Sequence, residues 1–159
     1  MSLWEIHPAL VHFPLALLLA ATALEIAAAV KRHDLLNRVA ARVLAAGVIA
    51  ALIAAVAGLL AYFTVPAHTE AAHTRILAHA LCAASATVVY GVVLMLHSRP
   101  PSTVSNSRRL IASIVAATFL CAAGGLGGYV VYQDGVGVKK AQEGTLGTWE
   151  YHWQNLLRD

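Results

Sequence analysis

The sequence predicts an all-α membrane protein, a four-transmembrane-helix bundle of up-down topology with both termini on the extracytoplasmic side. Composition is the first sign: the chain is 59% apolar and only 12% charged, with a mean hydropathy of +0.69, far from the average soluble domain. The second is a set of apolar runs at about 8–30, 43–65, 74–96 and 110–132, each broken by at most one charged residue. Each reaches the roughly 20 residues that a helix needs to cross a bilayer. The third is the placement of basic residues. The spans fill residues 1–138 as one transmembrane domain and leave 139–159 as a tail, so the 159 residues hold no second domain.

The loops between the first and second spans and between the third and fourth carry Lys31, Arg32, Arg38, Arg42, Arg99, Arg108 and Arg109 against one acid, Asp34. On the other face Arg75, Lys139, Lys140 and Arg158 are diluted by Glu5, Glu70, Asp134, Glu143, Glu150 and Asp159. The positive-inside rule puts the first set in the cytoplasm and both termini outside it. This describes a multi-pass protein of the bacterial inner membrane, in contact with lipid. The net charge of +3 is explained by those short loops and calls for no nucleic acid, which would need a clustered basic surface on a soluble domain. No Lys or Arg precedes the first run, so the basic region of a signal peptide is missing and the first helix is expected to be retained.

In the first span, Pro8 suits an opening turn, and Pro14 removes one helical hydrogen bond, kinking the helix or marking its true start. Glu25, near the inner end, is read as an ion pair with Arg38 or Arg42. The second span is alanine-rich, with Gly47 and Gly58 at spacings that let backbones approach; a homo-oligomer packed through such faces is allowed. The third carries His79 and Cys82 on one face, with His97 as a solvated residue at its exit. Cys82 and Cys121 read as small buried hydrophobes rather than a disulfide. The fourth ends in Gly124, Gly125, Gly127 and Gly128, where a neighbouring helix or a flat cofactor would approach the backbone. Tyr129 and Tyr132 suit the interfacial aromatic belt. In the tail, Trp149, Trp153, Leu156 and Leu157 have the spacing of a short amphipathic helix on the outer surface.

Of eight histidines, six (His7, His12, His68, His73, His79 and His152) belong to the outer half, and only His33 and His97 to the other. An imidazole in a membrane helix marks a functional site by default. His12 lies four residues after Pro8 and His79 three after Ile76, which places both about 5 to 6 Å inside the outer boundary. The first and third helices of such a bundle face each other across a diagonal of roughly 11 to 14 Å. Two imidazoles across that gap leave room for one iron, so His12 and His79 are the expected axial ligands of a b-type haem. Gly124, Gly125 and Gly128 would lie against the macrocycle, and Arg75 would bind its propionates. The alternative is a copper or zinc site on His12 and His79, with His7 and His73 as accessory ligands. A third reading is a cofactor-free scaffold subunit of a membrane complex. No hydrolase triad or phosphate loop is present, so an electron-transfer protein is expected rather than a stand-alone enzyme.

The run His7-Pro8-Ala9-Leu10-Val11-His12-Phe13-Pro14, with Gly58-Leu59-Leu60, His79-Ala80-Leu81 and Gly124-Gly125 through Val131-Tyr132 to Gly135-Val136-Gly137-Val138, resembles the bacterial membrane family catalogued as domain of unknown function 2231. The resemblance covers nearly all the chain before Lys139. It carries over His7, His12 and His79; His73 lies outside its motifs. Members of similar sequence occur joined to Rieske or cytochrome c modules, which implies an electron-transfer setting. With no such module fused here, the expected partners are quinone and a separate periplasmic or membrane redox protein.

Overall fold

The computed structural model describes residues 3–65, 69–99 and 106–137, and the tail lies outside them. Five helices follow in order: α1 (Leu3–Leu10), α2 (His12–Lys31), α3 (Asp34–Thr64), α4 (Glu70–His97) and α5 (Asn106–Tyr132), with no strand among the described residues. α1 and α2 together form the first of four helices long and apolar enough to cross a membrane. Leu52, Val56, Leu59, Leu81, Val88 and Ile111 are all more than half exposed, as lipid-facing side chains are.

The first span begins earlier than Pro8 suggested. α1 starts at Leu3 and holds Pro8 inside it. The break falls at Val11, because Pro14 has no N–H to give the Leu10 carbonyl. The bonds on either side survive, Val11 N–H to His7 O at 3.1 Å and Leu15 N–H to Val11 O at 3.2 Å. The other spans also outrun their apolar runs. α3 has 31 residues, which at 1.5 Å each is roughly 46 Å, well beyond a hydrocarbon core of about 30 Å.

Two pairs of helices consecutive in the sequence, α2 with α3 and α4 with α5, pack more extensively than any other pair, while α2 touches α5 and α3 touches α4. α2 and α4 therefore lie diagonally, and they meet through side chains. The Tyr90 hydroxyl bonds the Thr22 hydroxyl at 2.8 Å, while Thr22 also donates to the Leu18 carbonyl at 3.1 Å. Leu18, Leu44, Tyr90, Val93 and Ala116, all at most 1% exposed, close the core at this level. Tyr90→Phe should cost about 0.5–1.5 kcal/mol, since Thr22 keeps its bond to Leu18. Thermal unfolding in detergent with Thr22→Val as the second arm of a double-mutant cycle measures it.

The two helix pairs are copies in arrangement. Buried Pro14, Leu18, Ala21 and Glu25 on α2 recur as Ala86, Tyr90, Val93 and His97 on α4, at the same offset of 72 residues that separates the bonded pairs Leu18–Tyr90, Glu25–His97 and Asn37–Arg109. The bundle thus has a pseudo-two-fold axis along its length, with α1–α3 as one half and α4–α5 as the other.

Candidate functional site: a facing pair of imidazoles

The residue that stands opposite His79 is His7. Their ring centroids are 6.1 Å apart, with planes at 79°. His12 is exposed on the far side of the Val11 break. The helical register explains this: His7 lies two turns before buried Pro14 on the core-facing stripe, whereas His12, five residues on, is rotated roughly 140° away. His7 and His79 are themselves 72 residues apart in the sequence, so each half of the molecule gives one imidazole to the axis.

Each ring is held in the same way. His7 Nδ1 lies 2.9 Å from the Ala54 carbonyl, and His79 Nδ1 lies 2.8 Å from the Ala123 carbonyl. A carbonyl oxygen only accepts, so both Nδ1 atoms carry a proton, and Nε2 is the ring nitrogen that this hydrogen bond leaves over. One turn beyond each carbonyl is a glycine that the ring packs against. A Cβ on Gly58 would lie 2.9 Å from His7 Cε1, and one on Gly127 would lie 3.1 Å from His79 Cε1 and Nδ1. The carbonyl-to-glycine cradle is thus Ala54 with Gly58 in one half and Ala123 with Gly127 in the other. The pair lies about 14 Å along the helices from the ends of α3 and α5 and the start of α4.

Gly58→Ala should push the His7 ring off the Ala54 carbonyl, because an imidazole held by that bond cannot swing freely. Nitrogen NMR of labelled histidine is expected to show the hydrogen-bonded Nδ1–H of one ring lost. Gly125→Ala should leave it in place, since nothing lies within 4 Å of a Cβ there.

Gly125 and Gly128 meet no other group, and Gly124 meets only Leu15 Cδ1 at 3.9 Å; the close approach belongs to Gly127. Arg75, one turn above His79, donates to Asp134 Oδ1 at 2.6 Å and lies 4.8 Å over the Tyr129 ring. It thereby ties the start of α4 to the end of α5, which the positive φ of Gly135 terminates. His73 sits away from the pair, its ring 6.0 Å from that of Tyr62. His68 and His152 lie outside the described residues. Cys82 is half-buried and Cys121 exposed on α5, both free, so Cys121 is not the buried hydrophobe that was expected.

At the opposite end, Glu25 pairs with His97 at 2.5 Å instead of with Arg38 or Arg42, and the two side chains are 5% and 6% exposed. His97 is accordingly no solvated exit residue. Glu25 is about five turns below His7 and His97 about five turns below His79, so both levels face the axis, roughly 27 Å apart.

Chemically, two neighbouring imidazoles whose Nδ1 atoms are taken up by carbonyls have Nε2 left to ligate a metal ion. Metal–nitrogen bonds of about 2.0–2.1 Å on either side, plus the half-width of each ring, put the ring centres roughly 6 Å apart. The fold and this site define a class: a four-helix membrane protein built of two similar halves with paired imidazoles on the axis between them. The chain belongs to the family described as predicted membrane protein DUF2231, whose model matches residues 4–140. Neither a curated protein nor a solved structure gives a match.

Proposed function

We propose that this protein is a membrane cytochrome of b type, in which His7 and His79 would hold one haem. The observation that carries this reading is the facing pair itself, 6.1 Å between ring centroids with both Nδ1 atoms on backbone carbonyls. The number of ligands favours haem over a bare ion. Zinc and copper take three or four protein ligands, and no group of three or more His, Cys, Asp or Glu side chains gathers among the described residues. Two imidazoles suffice when a porphyrin supplies the other four nitrogens.

When bound, haem iron supplies one-electron redox chemistry. The chain's own residues would fix what surrounds it. The Ala54 and Ala123 carbonyls orient the rings and raise their basicity, Gly58 and Gly127 let the rings sit close to the helices, and the apolar faces keep water out. Arg75 is the cation at that edge for propionates, in exchange with Asp134. With the basic loops in the cytoplasm, the site lies toward the periplasmic side, placed to pass electrons between membrane quinone and an extracytoplasmic redox protein.

Haem extraction with elemental analysis of protein purified from haem-supplemented cells tests this. One iron and one haem per chain are expected; stoichiometric copper or zinc with no haem would establish the metal-handling alternative instead.

A further inference from the structure

The inner level of the axis carries a second site that needs no metal. Glu25 and His97 are joined directly, leaving no space for an ion between them, and stand roughly 27 Å from the imidazole pair. Ionisable groups buried within a membrane bundle mark ion or proton pathways, and these two lie at its inner end, where His97 closes α4. Glu25 forms part of the wall of a cavity of about 380 Å³ at the basic face, with Arg32, His33, Asp34, Asn37 and Arg109. A polar cavity of that size admits water. In the other direction the axis is closed by Leu18, Leu44, Tyr90, Val93 and Ala116, each at most 1% exposed.

We propose that Glu25 and His97 form a proton-binding site that exchanges with water through this cavity, and so from the basic face of the membrane alone. The carboxylate and imidazole share one proton between Oε1 and Nε2 at the end of a wet vestibule, while the buried layer behind them, where the Tyr90 hydroxyl is tied to Thr22, leaves no open passage to the imidazole pair. The charged and titratable groups around the cavity and the pair come from every neighbouring element: Arg32 and His33 at the α2–α3 turn, Asp34 on α3 and Arg109 on α5 line the cavity with Glu25, and Tyr90 on α4 lies on the core side of Glu25. Arg109 is anchored to Asn37 at 2.9 Å, which sets its charge in the wall. The proposal is independent of the haem reading, because neither residue belongs to that site.

Infrared spectroscopy of the purified protein between about pH 4 and 9 provides the test. A carboxyl C=O band should titrate in this range, move to lower frequency in D₂O and be missing in Glu25→Gln, a variant that keeps a hydrogen bond to His97. Glu25→Asp should shift the band rather than remove it, which guards against loss of fold in the glutamine variant. Ala29→Trp, filling the cavity wall, should slow deuterium uptake at the band by about tenfold or more. A band that never titrates would mean a fixed ion pair and overturn the proposal. Equal exchange rates in Ala29→Trp and the native protein would overturn the route.

Discussion

His7→Ala and His79→Ala are each expected to abolish haem binding outright, whereas His12→Ala should leave the spectrum unchanged. Removing either imidazole would leave one ligand for the proposed haem and a hole on the axis, and it also removes the side-chain hydrogen bond to the Ala54 or Ala123 carbonyl. His12 is exposed and touches neither ring. The absorption spectrum of each variant, purified with the same haem supply, decides the matter. The pseudo-symmetry sharpens the expectation: the two single losses should be equal in kind, because each half contributes the same ring, carbonyl and glycine. Retention of haem in His7→Ala with loss in His12→Ala would return the assignment to the two histidines whose depth from the sequence seemed matched.

The second large effect is on stability. Glu25→Ala should destabilise the protein by about 3–5 kcal/mol, because it leaves His97 buried with no carboxylate. The side chains are 5% and 6% exposed, so solvent offers little compensation. Replacing both partners, as Glu25→Leu with His97→Leu, should recover most of that loss, since two well-packed apolar groups leave nothing unpaired. Reversible unfolding in detergent, followed by loss of helical circular dichroism, measures both variants. If the double variant were as unstable as the single one, the pair's contribution would lie in shape rather than in its charge pairing.

Hydropathy made the four spans legible, since a bilayer imposes length and apolarity on each helix whatever its neighbours do. His79 was legible for a similar reason, as a costly imidazole within an apolar run. Its partner was not, because depth was counted from Pro8 as a helix start. The helix runs on from Leu3, and proline at position 8 is tolerated inside it. Register was the better guide: the core-facing series Pro14, Leu18, Ala21 and Glu25 extends back to His7 and passes over His12. Of the four glycines that crowd one stretch, Gly127, a turn beyond the Ala123 carbonyl, is the one that meets a ring. Comparing the chain with itself at an offset of 72 residues aligns His7 with His79 and Glu25 with His97. That signal was present in the sequence, but alanine-rich helices hide it, because so many of their positions look alike. Glu25's partner was beyond reach: nearby arginines in the sequence are closer along the chain, while His97 is reached only across the diagonal.

The central claim, that two near-perpendicular imidazoles of this chain ligate one haem, is tested most directly by electron paramagnetic resonance of the ferric protein as purified. Planes at 79° predict a low-spin ferric signal of the strongly anisotropic kind that perpendicular bis-imidazole ligation gives, at one haem per chain. A high-spin signal, or a preparation that stays colourless despite ample haem, would contradict it.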